Sequence, residues 1–430
     1  MWYRLETVLQ DKNGRYTESI IANSENRPMW NFSKLLGISS YEVTKFYQDR
    51  ECIFVQLHPR RITAACTTCG KISSRVKSYG KEQSIQHGTI LGKMVYIFVR
   101  RRRFLCRACK RVFSEDHPLL KVRQRATMKH KKEVVLNLSD RSFSAGTKKY
   151  HVSYFTQRKW LNDVISQEVL NFKHEEQEGT PFVLGIDEVS FAGRDMVITI
   201  GNITKHRLKG VLHSKRKDEL KKVLRSLSPK VKSLIAEVVI DMCNLYLKAV
   251  KETLPNVEIV IDHFHVIQDA NRRIDQERLL LQDIFKKKIP RYIFTKNKED
   301  LNRNQPSLLA DIVKKYPELT MFYQTKERLR DMYRSRTKEE ATDKLRTIIL
   351  SLTSTDDGEL ITWGRTLSYW KQYILNYWNS RSTNGFMEGI HNKMKLIKRI
   401  SFGFRNKQVF IHKVMLSVLV ATLLLPQLNS

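Results

Sequence analysis

Three apolar runs in this chain end on aspartate: PFVLGID at Asp187, AEVVID at Asp241 and VEIVID at Asp262. Short continuous apolar runs bounded by polar residues read as buried strands. Between the first and second lie DMVITIGNIT and RLKGVLHS, at hairpin spacing, and then the helical KDELKKVLRSL. Between the second and third lies the helical NLYLKAVKETL. The resulting order, β-β-β-α-β-α-β over residues 181–262, describes a mixed sheet flanked by helices.

That order is the ribonuclease-H-like topology, and it predicts where the aspartates fall. The first strand and the strand after the first helix are neighbours at the sheet centre, roughly 5 Å apart, which pairs Asp187 with Asp241. Asp262 follows one strand further out, roughly 10 Å from Asp187. Two metal ions about 3.5–4 Å apart share a carboxylate, so the adjacent pair is the expected cage, in preference to Asp187 with Asp262. A third ligand must come from elsewhere. After Ser382-Thr383-Asn384, the residues Glu388, Asn392, Lys395 and Arg399 recur at helical spacing on one face, with Ile390, Met394 and Ile397 opposite. That face offers a carboxylate for metal, then an amide and two cations for DNA phosphate.

Lys and Arg number 77 against 44 Asp and Glu in 430 residues, a formal charge of +33. An excess of this size on a chain with the apolar content of a globular protein predicts a polyanionic partner, nucleic acid ahead of an anionic membrane. The N-terminal MWYRLETVLQDKNGRY is charged and polar, so a cytoplasmic protein is expected. The apolar Val414 to Leu425 is shorter than the roughly 20 residues of a membrane span and predicts a buried helix.

Four of the six cysteines form two CxxC pairs, Cys66/Cys69 and Cys106/Cys109, with 36 residues between them. Four thiolates at this spacing suit a closed tetrahedral zinc, a structural staple without an open position. Cys52 and Cys243 read as small core residues. Alternating segments before and between the pairs, with turns at YGK and LGK, make a zinc-ribbon pattern. The arginine run Arg100 to Arg103 lies on this module, and Arg102 and Arg103 are candidate phosphate contacts. Three short helical stretches from Thr127 to Trp160 and just beyond suggest a helix-turn-helix, in which Gln157, Arg158 and Lys159, with Tyr154, face a DNA groove while Phe155, Trp160 and Leu161 pack inward. The charged KHEEQEGTP at 173–181 reads as a hinge, and the helical, charged segment 263–380 as an insertion. Trp363, Leu367, Trp370, Ile374 and Tyr377 stand at the spacing of a core-facing helix, a base-stacking wedge being the alternative.

The stretches CTTC/CRAC, LGIDEVSF, VVIDMCNLYLKAVKETLPN, IVIDHFHVIQDANRRID and TNGFMEGIHNKMKLIKRISFGFRN together resemble the ISL-three family of insertion-sequence transposases, marked by a zinc ribbon, a helix-turn-helix and a DDE core. The resemblance implies a multidomain α+β protein: residues 1–45 unassigned, a zinc-ribbon domain at 46–120, a helix-turn-helix DNA-binding domain at 121–172, a ribonuclease-H-like α/β core beginning at 181–262, an all-helical insertion at 263–380 and C-terminal helices at 381–430 completing the core. It implies Asp187, Asp241 and Glu388 as a catalytic triad holding two Mg2+ ions, with Mn2+ as a substitute, beside a structural Zn2+. Asp262 and His265 form a D-x-x-H signature expected behind the metal ligands. Lys395, Lys398, Arg399 and Arg405, with Asn392, become candidates for gripping DNA. The implied partners are double-stranded DNA, both transposon ends and target, and further copies of the chain in a dimer or larger synaptic assembly, in the bacterial cytoplasm at the nucleoid. A regulator that binds DNA without cutting it, and a nuclease of the same fold that does not join strands, are the competing readings.

Overall fold

The protein is described by a computed structural model that covers residues 33–34, 36–116, 124–165, 172–214 and 216–420, with the short strand pair 9–10 and 16–17. It divides into two compact units, residues 1–163 and 164–430.

The first unit is built on a long hairpin, β3 (Val76–Ile90) and β4 (Lys93–Leu105), preceded by β1 (Tyr41–Gln48) and β2 (Cys52–Pro59) and followed by the short β5 (Val112–Ser114). The order is β1-β2-β4-β3, with β2 parallel to β4, the other pairs antiparallel and β5 on β4. The turn expected at LGK is present, with Leu91 and Gly92 both at positive φ, as a tight two-residue hairpin turn requires. The expected turn at YGK is instead an irregularity between Tyr79 and Glu82 inside β3, where the partner strand runs on and keeps the ladder continuous. Near the turn the hairpin packs with β1 and β2 around Tyr41, Val55, Ile85, Val95 and Ile97; at its open end Phe104 and Phe113 pack against Cys66 and Cys106. Residues 36–45 therefore belong to this sheet and its core.

Arg102 is not a surface cation. Strand alternation turns it inward, where Nη2 lies 2.7 Å from Glu115 Oε2 and the guanidinium covers the Phe104 ring. Glu115 is brought there by the pairing of β5 with β4, which the sequence did not announce. Arg103, on the opposite face, is exposed.

Helices α1 (Met128–Asn137), α2 (Phe143–Tyr150) and α3 (Tyr154–Ile165) follow. Thr127 and Ser142 cap the first two by accepting the His130 and Ala145 N–H groups. Trp160 and Leu161 pack inward as expected, but Gln157 and Phe155 exchange the roles assigned to them. Gln157 is fully buried, and its Nε2 donates to the Phe143 and Val152 carbonyls and to Thr147 Oγ1. The amide lies so close over Gly146 that a Cβ there would collide with it, so Gln157 bonds α3 to α2 and cannot read DNA. Phe155 is 76% exposed. Arg158 is half-buried and Lys159 exposed.

The second unit opens with α4 (Lys173–Glu178) over the stretch read as a hinge. Its Glu175 is buried against Lys209 Nζ at 2.6 Å and also accepts from Asn202, which fastens the helix to the sheet. The sheet comprises β6 (Phe182–Ala192), β7 (Asp195–Asn202), β8 (Arg207–Leu212), β9 (Ile235–Ile240) and β10 (Glu258–Ile261), in the order β8-β7-β6-β9-β10. The first three pair antiparallel; β9 and β10 add in parallel. Helices α5 (Lys217–Ser226), α6 (Pro229–Leu234) and α7 (Asn244–Thr253) make the crossovers.

From α8 (His263–Phe285) to Ser380 the described chain is helical throughout. Trp363, Leu367, Trp370 and Ile374 are buried in this layer, with Phe322 stacked on Trp363, so the aromatic stripe is core. The C-terminal helices α9 (Gly385–Ile400) and α10 (Lys407–Leu419) close the unit; here the helices between α8 and Gly385 are left unnumbered. Val414 to Val418 are buried as expected, and residues 421–425 of the apolar tail lie outside the described residues. No described helix is long and apolar enough to cross a membrane.

Candidate metal centres and nucleic-acid surfaces

Cys66, Cys69, Cys106 and Cys109 converge, with sulfur–sulfur distances of 3.7 Å (Cys66 to Cys109) and 3.6 Å (Cys69 to Cys106). These are too long for disulfides. A tetrahedron of metal–sulfur bonds of about 2.3 Å has edges of about 3.8 Å, so the thiolates stand at the vertices zinc requires. The two knuckles share a fold: Cys66 N–H donates to the Lys71 carbonyl and Cys106 N–H to that of Arg111, with Gly70 and Lys110 at positive φ.

In the second unit, β6 runs past Asp187 to Ala192, so this aspartate lies mid-strand, paired across β7 with Thr199, and not at a strand end. Asp241 follows the last residue of β9, and Asp262 the last of β10. The parallel pairing of β6 with β9 brings Asp187 and Asp241 together as the topology predicted. The third member of the cluster is His265, in the first turn of α8, with Nε2 2.7 Å from Asp241 Oδ1 and 3.9 Å from Asp187 Oδ1. Potential ligand atoms of these three residues all lie within 4.8 Å of one another. The other ring nitrogen of His265 contacts Gln268 Oε1 at 3.1 Å, which orients the ring.

The electrostatics match two carboxylates confined beside a cation. Burial first, then the Asp241 charge, raises Asp187 to about 7, partly offset by His265. Burial likewise raises Asp241, against the pull of His265. For His265 burial acts to lower the pKa, yet its contact with Asp241 and the charges of Asp187 and Asp262 carry it up to about 9. Two oxygen donors and one nitrogen donor, Asp187 buried and Asp241 and His265 half-buried, with mutually repelling carboxylates, fit a divalent cation.

Asp262 is tied into the frame. Oδ1 accepts the Phe264 N–H at 3.3 Å, capping α8, and Oδ2 accepts the Asn384 N–H at 3.3 Å, at the start of α9. Helix α9 lies directly on the sheet because the cross-strand partners there are glycines. A Cβ at Gly185 would stand 2.7 Å from Asn384 Oδ1, and one at Gly201 2.6 Å from the Met387 sulfur. Two residues along each strand on the same face come Asp187 and Thr199, and over them His391, buried. Glu388 lies one helical turn before His391 on α9 and is exposed, outside the close Asp187–Asp241–His265 group. Sequence reading did not single out His391 or Thr199. The signal available was the three-residue spacing from Glu388 to His391, which sets both on one side of the helix.

Of the remaining candidates, Asn392, Lys395, Arg399 and Arg405 are exposed, whereas Lys398 is half-buried and donates to the Ser190 carbonyl at 3.0 Å.

Two family models match the chain. One, described as a transposase of the DDE class in the ISL3 group, covers residues 184–414, more than half of the chain. The other, described as the zinc-finger of transposase IS204/IS1001/IS1096/IS1165, covers residues 62–109 and all four clustered cysteines. A curated relative, the transposase for insertion sequence element IS1001 of Bordetella parapertussis, is 26% identical over 197 residues, which span 44% of this chain and 48% of that protein. The match thus extends over about half the length of the relative. With the zinc-ribbon cysteines assembled in one unit and a close pair of aspartates in the other, the chain belongs to the ISL3 family of DDE transposases.

Proposed function

We propose that this protein binds the terminal inverted repeats of its insertion sequence and catalyses metal-dependent DNA cleavage followed by strand transfer. The observation that carries the reading is the close Asp187–Asp241 pair at the centre of the second sheet, with α9 laid across it. The order of three antiparallel strands followed by two parallel ones supports a ribonuclease-H-like core over 181–262, interrupted by helices at 263–380 and completed by 381–430. The zinc-ribbon domain at 46–120 and the helix-turn-helix at 121–172 supply DNA binding in this reading.

Asp187 and Asp241 would hold two Mg2+ ions, or Mn2+, together with Glu388. The bound ions would supply water activation and stabilisation of charge on the phosphoryl oxygens. Glu388 shares its helical side with His391, whose ring reaches Asp187, which supports it as the third carboxylate of this reading. Asp262 fixes the helices that carry His265 and Glu388, a supporting role. Lys395, Lys398, Arg399 and Arg405, with Asn392, would hold the phosphate backbone beside the site, while Arg103, Arg158 and Lys159 serve the end-binding domains. The 3'-hydroxyl released by cleavage would attack target DNA in a second in-line displacement. Pairing of two ends calls for a dimer or larger assembly, at the nucleoid of the cytoplasm.

The test is cleavage and joining of DNA carrying the element's own ends, with Mg2+, for wild type, Asp241→Asn and Asp262→Asn at matched folding and DNA affinity. The reading expects Asp241→Asn to lose both steps while Asp262→Asn retains residual activity. A wild type that binds the ends without cutting them would point to the regulator; one that cuts without joining, to the nuclease.

A further inference from the structure

Asp187 presents its two oxygens to different neighbours. Oδ1 accepts the Glu188 N–H at 2.6 Å and faces His265 and Asp241. Oδ2 lies 3.5 Å from His391 Nδ1. The second ring nitrogen of His391, Nε2, is 2.8 Å from Oγ1 of Thr199, the residue paired with Asp187 across the two strands. Nε2 of this buried ring is therefore hydrogen-bonded while Nδ1 faces the Asp187 carboxylate, and His391 stands outside the group of potential metal ligands. We propose that His391 is a positioning residue, which holds Asp187 in the rotamer that turns Oδ1 toward Asp241 and the divalent ion, with Thr199 selecting its tautomer. The proposal rests on the reading of this site as a metal-dependent centre.

The chemistry follows from proton counting. A neutral imidazole has one donor and one acceptor. Facing an ionised Asp187, Nδ1 must carry the proton, which leaves Nε2 bare and in need of a donor. The Thr199 hydroxyl is that donor. The same hydroxyl is within donating distance of the Asp187 carbonyl at 3.1 Å; turned to Nε2 instead, it would select the tautomer in which Nδ1–H points at the carboxylate. Orientation of a ligating carboxylate by a hydrogen-bonded neighbour is how such outer groups tune metal affinity. A histidine that merely fills space would satisfy the packing without this dependence on a hydroxyl of the neighbouring strand.

The test measures Mn2+ binding to the intact zinc-loaded protein, without DNA, by the loss of the free-Mn2+ paramagnetic resonance signal, alongside melting midpoints. His391→Leu and Thr199→Val are expected to weaken Mn2+ binding by about 10–100-fold. His391→Asn, which keeps an N–H donor near the Nδ1 position, and Thr199→Ser, which keeps the hydroxyl, are expected to restore binding close to wild type. The proposal is overturned if His391→Leu and Thr199→Val bind Mn2+ like wild type, or if the conservative pair fares no better than the disruptive pair. Should His391→Leu fail to fold, Thr199→Val, with the same shape and no hydroxyl, decides alone. A wild type that binds no Mn2+ would overturn the metal-centre reading itself, an outcome distinct from the others.

Discussion

In the absence of a divalent ion, Asp187→Asn should stabilise the protein even though it removes the carboxylate on which the proposed chemistry depends. Burial and the neighbouring Asp241 raise Asp187 from its ordinary 3.8 to about 7. An acid raised in the folded state binds its proton more tightly there than when unfolded. Its contribution to stability is therefore fully present below the unfolded pKa and is lost as pH rises from about 3.8 to about 7. At about 1.4 kcal/mol for each pH unit, the ceiling of the loss is about 4 kcal/mol at pH 8 and under about 2 kcal/mol at pH 5. Sharing of the proton with Asp241 and His265, and entry of water, bring the realised effect at pH 8 nearer to about 2 kcal/mol. For a unit of this size that corresponds to a rise of roughly 4–8 °C in melting midpoint. The assay is thermal unfolding of the intact protein in magnesium-free buffer without chelator, because a chelator would also strip the cysteine cluster. Asparagine should win clearly at pH 8 and by less at pH 5, and the order should reverse when Mn2+ is added, since wild type alone gains full binding energy. An Asp187→Asn protein less stable than wild type at pH 8 without metal would refute the reasoning, because Asp187 would then be held by favourable contacts and not under repulsion.

Other perturbations separate structural from functional groups. Cys69→Ser should abolish bound zinc and raise amide hydrogen exchange across the two knuckles and β5, leaving the second unit's sheet protected; unchanged zinc content would contradict the four-thiolate site. His130 is buried with neither ring nitrogen hydrogen-bonded among the described residues, and burial lowers it to about 4. Its folded form resists protonation, so urea unfolding of the first unit should lose about 3 kcal/mol as pH falls from about 6.5 to about 4, a dependence that His130→Leu removes. Arg103→Ala should lower the salt slope of DNA binding by about one with unchanged stability. Arg102→Ala should instead destabilise the fold by about 3–5 kcal/mol by leaving Glu115 buried and unpaired, as urea titration would report. Gly201→Ala should displace Met387 and loosen α9, at about 1–3 kcal/mol, visible as faster exchange of that helix alone.

Where pattern alone dictates structure, the chain is readable. Continuous apolar runs at hairpin or crossover spacing fix strand order, and strand order places Asp187 beside Asp241 without further information. The CxxC knuckles are a local signal of the same kind. The failures are long-range. Arg102 looks like its neighbours until Glu115 arrives on a short added strand, and Glu175 looks like part of a solvated hinge until Lys209 meets it from another strand. Gln157 is polar and belongs to a helix expected to touch DNA, but the gap over Gly146 that admits its amide is a property of how two helices approach. His391 escaped notice for a related reason: a histidine on a mostly apolar helix face carries no sequence mark of the carboxylate beneath it. Glu388 could be read as a candidate from its helical stripe, but its present solvent-facing rotamer could not.

The two oxygens of Asp262 have an architectural consequence. One caps the helix that leaves the sheet toward the helical layer, and the other receives the backbone of the helix that returns from it. The excursion from His263 to Asn384 thus departs and comes home at a single carboxylate, like a loop of rope closed by one pin. The spacing of the groups on either side is thereby set at Asp262, while the helices between pack on the sheet in one continuous core. A core arranged this way sets His265 beside Asp241 and Asp187 from the same carboxylate at which the helical excursion begins and ends.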